Sequence, residues 1–274
     1  MPGSYPRRRP VAPVKSIESD GSRIRYLVDG KLIEPDWDYK RSETALSRTP
    51  KNNQRWERFS QTLADISGLF HGLDISRRTP IRSPRSLSPA QTPGVNGEDL
   101  VSCLFTMRET VRERFDAVED ALRAAFPTME RQEFLPVGGG NLTLGWKESE
   151  FTRAINVSEL SEGTPRFLWL ATLLQSPGLP KITLIDEPEV SLHPEMLRLL
   201  ADLMREASER TQLIVATHFD RFVRFLEPKE LFVCDRDETG GMTAQWADEL
   251  DLQAWLEDDT LDQLWSKGIL GGRS

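Results

Sequence analysis

Apolar positions change their spacing several times along the chain, and each change predicts a different element. Arg23-Ile24-Arg25-Tyr26-Leu27-Val28 alternates, Asp29-Gly30 supplies a tight turn, and Lys31-Leu32-Ile33-Glu34 returns, which predicts a β-hairpin. Over residues 54–72, Trp56, Phe59, Leu63, Ile66 and Phe70 recur at helical spacing. From Glu98 to Phe126, Leu100, Val101, Leu104, Phe105, Val111, Phe115, Val118, Leu122 and Phe126 predict a helical stretch with room for one break, stopped by Pro127. Residues 131–157 alternate around Gly138-Gly139-Gly140, so strands and a turn are expected there. Beyond residue 160 the periods interleave. A helix near 165–175, a strand at 181–186, a helix near 194–209 and a strand at Gln212–Ala216 follow one another. After His218 come a helix, a strand pair around Leu231–Cys234 and Met242–Trp246, and two acidic C-terminal helices. Strands alternating with helices predict an α/β fold on a parallel sheet.

Composition divides the chain further. Residues 1–22 are rich in Pro, Arg and Ser and read as a basic, poorly ordered tail. Residues 23–97 hold the hairpin, the helix and a Pro/Ser/Arg-rich surface connection over 74–97, expected to be disordered, and residues 98–274 form the main domain. The net charge of −8 hides an asymmetry: residues 1–97 carry 17 Lys/Arg against 10 Asp/Glu, and residues 98–274 carry 18 against 33. This argues against a chain that coats nucleic acid throughout. DNA contact by the basic first third stays open beside the simpler reading of a solvated surface. Cys103 and Cys234 both sit among apolar neighbours and read as core thiols, with no metal-ligand spacing. No apolar run approaches the ~18 residues of a membrane span. Arg7-Arg8-Arg9 is not followed by an apolar targeting core, so a cytoplasmic setting is expected.

Three stretches carry candidate chemistry. The first is Lys181 to Glu195, KITLIDEPEVSLHPE, in which a buried strand ends in Asp186-Glu187. Open α/β sheets place ligands at the carboxyl ends of their strands. In nucleoside-triphosphate chemistry one such acid holds Mg²⁺ or its water and the next polarises an attacking water. The second is Leu160-Ser161-Glu162-Gly163-Thr164 before a helix, where free N–H groups and a residue without Cβ suit an anion, or where Ser161 or Thr164 simply caps the helix. The third is Thr217-His218, closing the strand after the acidic one, with an imidazole that either meets a phosphate or serves structure. His193-Pro194, just past the acids, also suits a plain helix start. Asp235-Arg236-Asp237 has the spacing of a metal-binding acid pair, but the Asp237–Gly241 run reads better as a hairpin turn.

In order along the chain, these stretches resemble the ABC-type ATPase heads, and more narrowly the RecF/SMC-like AAA family ATPases of bacteria. The resemblance implies a P-loop NTPase-like parallel sheet with flanking helices, ATP and Mg²⁺ as cofactors, and dimerisation around nucleotide. It makes LSEGT the signature motif, with Ser161, Glu162, Gly163 and Thr164 capping the nucleotide of an opposing head. It makes ITLIDE the Walker B strand, with Asp186 on Mg²⁺ and Glu187 the catalytic base, and His218 the switch histidine. Glu162 and Thr164 depart from the commoner LSGGQ.

One expected part is missing from these residues. No GxxxxGK[ST] phosphate loop occurs in the 274 residues. The nearest run, Gly140 to Lys147, has one residue too many, and Glu148 stands where a hydroxyl should hold Mg²⁺. The chain therefore resembles a head whose N-terminal lobe is incomplete. Three readings follow: an ATP-hydrolysing head, a non-catalytic subunit that offers its signature face to a chain bearing the phosphate loop, or a product whose start lies further upstream. No membrane partner is expected.

Overall fold

The computed structural model describes residues 17–19, 24–28, 31–34, 67–70, 79–236 and 242–271. The chain divides into two compact units, Met1–Ile66 and Ser67–Ser274. Residues 67–97, which the sequence groups with the N-terminal part, fall within the second unit.

In the first unit, β1 (Ile17–Ser19), β2 (Ile24–Val28) and β3 (Lys31–Ile33) form an antiparallel sheet in that order. The expected hairpin is present, with Tyr26 opposite Ile33 and Val28 opposite Lys31. Three residues assigned to the basic tail, Ile17 to Ser19, pair with Ile24 to Tyr26.

The second unit centres on a helix that is buried on nearly every side. After β5 (Arg85–Ser86), helices α1 (Leu100–Thr110) and α2 (Arg112–Ala125) follow, broken at Val111 and ended before Pro127. A long antiparallel pair, β6 (Met129–Val137) and β7 (Asn141–Glu148), turns at Gly138–Gly140, where Gly139 and Gly140 take φ of 75° and 76°. These positive φ values suit residues without a Cβ. Strands β5 and β8 (Ile155–Asn156) pair with β7. Helix α3 (Gly163–Gln175) buries every residue from Thr164 to Gln175, as expected of a helix that is apolar all round and lies within a core. It packs against α1, α2 and α4 (Met196–Ser208), whose Leu197, Leu200, Ala201, Met204 and Ala207 form one buried stripe.

Beside this core lies a three-stranded parallel sheet ordered β10-β9-β4, with β4 at Ser67–Phe70, β9 at Ile182–Asp186 and β10 at Gln212–Ala216. Strand β9 is central, with Ile185 beside Phe70 on one flank and Val215 on the other. The chain continues through α5 (Asp220–Val223) to an antiparallel pair, β11 (Phe232–Arg236) and β12 (Met242–Trp246). Helices α6 (Gln253–Leu256) and α7 (Leu261–Ser266) close a smaller core with Val223, Ala247, Leu252 and Leu270.

Three expectations are corrected. The helix expected over 54–72 does not extend through 67–70, which form β4 because ladder bonds to β9 outweigh helical spacing; 54–66 and 71–72 lie outside the described residues. Residues 79–97 are not a solvated connection: Thr79, Ile81, Arg82 and Ala90 are buried, and Gln91 accepts a bond from the Gly178 N–H. Cys234 is exposed, whereas Cys103 is buried as expected. The turn expected at 237–241 lies outside the described residues.

Candidate functional site

The parallel register sets the site's geometry. Ala216 lies opposite Asp186, so β9 and β10 end level, and Asp186-Glu187 emerges beside Thr217-His218. Asp186, Glu187 and His218 are exposed at this carboxyl edge. The Glu187 N–H donates to the Ala216 carbonyl at 2.9 Å, extending the ladder by one bond, and the backbone then turns sharply. Glu187 takes φ 44°, a left-handed conformation rare for a side-chain-bearing residue. Such positions persist where the surroundings fix them, and they cluster at functional sites. Ser191, four residues on, takes φ 64°.

Between these two residues the chain dives inward. Pro188 and Glu189 are buried, and Glu189 is only 6% exposed. The Thr217 hydroxyl donates to Glu189 Oε1 and accepts the Phe219 N–H at 3.1 Å, while Glu189 Oε2 has no hydrogen-bond partner. Burial raises the Glu189 pKa; the Thr217 bond opposes that rise, the negative charge of Glu187 adds to it, and the positive character of His218 opposes it. The acidic loop and the histidine-bearing strand end are thus tied together beneath the exposed edge.

The Leu160–Thr164 stretch meets the same loop from the other side. A Cβ on Gly163 would lie 2.7 Å from the Ser191 carbonyl oxygen, so only glycine permits this approach. Helix α3 begins at Gly163, with Glu162 at the N-cap and no side-chain cap bond. The capping role open to Ser161 or Thr164 is not taken up; their hydroxyls lie 3.1 Å apart and bond to each other. Ser161 and Glu162 are exposed and Thr164 is buried. The preceding turn, Val157–Glu159, is capped by Asn156. It is also gripped by Arg82, whose Nη1 donates to the carbonyls of Val157, Ser158 and Leu160 at 3.3, 3.1 and 2.9 Å.

The fold therefore brings Asp186, Glu187 and His218 to one edge and sets Gly163, with its neighbours Ser161, Glu162 and Thr164, against the loop that follows the acids. His193 is exposed and lies 3.7 Å from the Glu195 carboxylate. Sequence reasoning assigned no role to Glu189, Arg82 or Arg166. Glu189 was visible only as an acid inside the motif, and Arg82 was one of several arginines in a basic stretch. Arg166 is buried on α3; burial lowers its pKa, and Glu162 and Glu189 oppose the shift. Among the described residues no group of three or more His, Cys, Asp or Glu could hold a metal by itself. Mg²⁺ keeps several waters and takes one or two carboxylates plus phosphate oxygens, so an exposed Asp186 at a strand end fits it.

This mixed α/β arrangement, with an acidic strand end and a glycine-led helix on one loop, belongs to an AAA domain. The family model described as "AAA domain, putative AbiEii toxin, Type IV TA system" matches residues 5–223, and the chain belongs to that family. No curated protein matches the chain. Among solved structures, an SMC head bound to the C-winged helix domain of ScpA is 15% identical, covering 83% of this chain and 66% of that one, with TM-score 0.48. A structure described under ATP-driven dimerization and DNA-stimulated activation of SMC ATPases is 14% identical, covering 57% and 99%, with TM-score 0.41. The SMC head domain from Thermotoga maritima is 18% identical, with 57% of each chain covered and TM-score 0.37. The match thus spans little more than half of the Thermotoga protein. Family membership rests on the family model. No helix among the described residues is long and apolar enough to cross a membrane.

Proposed function

We propose that the Ser67–Ser274 unit is the Walker B and signature half of an ATP-hydrolysing head, working around nucleotide with a second head. The observation that carries this is Glu187. It is exposed at the carboxyl edge of the central parallel strand, held at φ 44° by a ladder bond to Ala216, on a loop that packs against Gly163. When bound, Mg²⁺-ATP supplies the phosphoryl group and the metal charge that neutralises it. Asp186 would hold the metal or its water. Glu187 would orient and deprotonate the attacking water, and the His218 imidazole would donate to a γ-phosphate oxygen. Ser161, Glu162, Gly163 and Thr164 would close on the nucleotide of the opposing head, with the free N–H groups at the start of α3 facing its phosphates. Glu189 is a positioning residue that couples the acidic loop to the histidine through Thr217.

These residues lack a GxxxxGK[ST] segment. Residues 1–274 alone are therefore expected to bind nucleotide weakly, with the phosphate loop supplied either by a partner chain or by sequence upstream of residue 1. DNA, as a further partner, has only the positive charge excess of residues 1–97 in its support.

The test measures Mg-ATP binding and turnover by the purified chain, alone and mixed with a phosphate-loop-bearing chain. Turnover should appear in the mixture, and Glu187→Gln should lower it by about 10²–10⁴-fold, the usual share of a general base. Turnover that is indifferent to Glu187→Gln would refute the assignment of the base. Efficient turnover by 1–274 alone would refute the need for a second chain.

A further inference from the structure

The LSEGT stretch is held from both sides. On its C-terminal side it runs into α3, which is buried from Thr164 onward. On its N-terminal side stands Arg82, only 7% exposed. A single nitrogen, Arg82 Nη1, donates to the carbonyls of Val157, Ser158 and Leu160 at 3.3, 3.1 and 2.9 Å. The Leu160 carbonyl and the Ser161 N–H belong to one planar peptide unit, so the 2.9 Å bond also fixes the direction of that N–H. The turn beneath is braced as well. Val157 is buried, the Ser158 N–H donates to Asn156 at 2.9 Å, and the Leu160 N–H donates to the Val157 carbonyl at 3.4 Å. Arg82 is itself anchored. It closes a 3-10 turn, Pro80–Arg82, in which its N–H donates to the Thr79 carbonyl at 3.1 Å. Its neighbour Ile81 is buried and rests on Gly97, where a Cβ would lie 2.9 Å from the Ile81 Cβ. Between these two anchors Ser161 and Glu162 are exposed. The acidic edge has ties of its own, from Glu187 to Ala216 and from Thr217 to Glu189.

We propose that Arg82 is a positioning residue for the signature: it holds the Leu160–Ser161 peptide unit so that Ser161 and Gly163 meet the nucleotide of an opposing head, and it serves that head's site rather than the acidic edge of its own chain. The assignment rests on the ATPase reading proposed above and adds to it a residue outside the three motifs. The physical reason is preorganisation. Two exposed residues on an untethered turn would sample many orientations, and donors aimed in advance spare the complex that ordering. A guanidinium suits the task, because it stays charged at every working pH and its planar donors keep one geometry. The three bonds all end on residues 157–160, so their loss displaces the signature first.

The first measurement needs no nucleotide. In the full 274-residue chain, Arg82→Met should speed amide hydrogen exchange at Ser158 and Leu160, the bonded amides of the turn, about tenfold more than at Glu187 and Gln212, which bond to Ala216 and Lys181. Arg82→Lys, which keeps the charge and donors on a more flexible stem, should fall between Met and the wild type. Equal acceleration at all four amides would overturn the proposal, because Arg82 would then support the unit as a whole. The second measurement is turnover, with the phosphate loop supplied as above. Heads that all carry Arg82→Met should lose about 10²-fold, the scale of a remote displacement of about 1 Å. An equal mixture of Arg82→Met and Glu187→Gln heads should recover about a quarter of wild-type turnover, since about half of random pairs are mixed and each mixed pair holds one site with both halves intact. A chain that had merely lost its fold would restore nothing. No recovery, with the exchange at Glu187 and Gln212 as in the wild type, would place the effect of Arg82 on its own acidic edge and overturn the proposal. Should Arg82→Met fail to fold, Arg82→Lys carries the same mixture. Absence of turnover in wild-type heads would count against the ATPase reading alone, and the exchange comparison would still decide whether Arg82 sets the signature turn.

Discussion

Thr217→Val tests the electrostatics beneath the site. The Thr217 hydroxyl donates to Glu189 and accepts the Phe219 N–H, so a valine side chain would remove both bonds while keeping the volume. A hydrogen bond to a charged group contributes about 1.5–3 kcal/mol and a neutral one about 0.5–1.5 kcal/mol. The expected loss at pH 7.5 is therefore about 2–4 kcal/mol. The pH dependence has a definite sign. Burial raises the folded pKa of Glu189 above its ordinary 4.5, so folding takes up a proton between 4.5 and the folded value. The native state is thus favoured below 4.5, and this advantage is lost as pH rises through the folded pKa. Removing the Thr217 donor raises the folded pKa further, so its cost is greatest where the carboxylate must stay ionised. At pH 4 the loss should fall to about 1–2 kcal/mol, the share of two neutral bonds. Urea unfolding followed by tryptophan fluorescence at both pH values measures this, with Thr217→Ser as the conservative control. Equal losses at pH 4 and 7.5, or the same loss in a Glu189→Gln background, would refute the reasoning.

Other consequences follow from single contacts. Gly163→Ala places a methyl 2.7 Å from the Ser191 carbonyl and should cost about 1–3 kcal/mol in urea unfolding, whereas Ser161→Ala, at an exposed position, should cost under about 1 kcal/mol. Glu187→Gly relieves the positive φ at that residue and should raise stability by up to about 1 kcal/mol while abolishing turnover; a stability loss would contradict the strain. Arg82→Met leaves the carbonyls of Val157, Ser158 and Leu160 without this donor and should cost about 2–4 kcal/mol, read by thermal or urea unfolding. Burial pushes the Cys103 thiol up to about 11, so maleimide at pH 7.5 should label exposed Cys234 in the native protein and Cys103 only after unfolding, as mass spectrometry of the peptides would show.

The elements whose signal is local were legible in the chain itself. Alternation with Asp29-Gly30 located the first hairpin, and the apolar spacing from Leu100 to Phe126 located a helical stretch with room for one break, which the structure puts at Val111. The run at Gln212–Ala216 matched its strand residue for residue. The acidic pair and the LSEGT helix start were likewise visible, because side-chain chemistry at a strand or helix end is written in consecutive residues. What depends on distant partners was not visible. Ser67–Phe70 carries a helical spacing and becomes a strand only because β9 offers a ladder 115 residues away. Arg82 looks like its solvated neighbours until the carbonyls of residues 157–160 close around it. The left-handed turn at Glu187, the burial of Glu189 under Thr217 and the approach of Gly163 to Ser191 exist only once β9, β10 and α3 are packed. Which residues are candidates for the chemistry can be read from their order along the chain. How they meet cannot, because register, burial and backbone strain are properties of paired segments and arise only when distant stretches pack together.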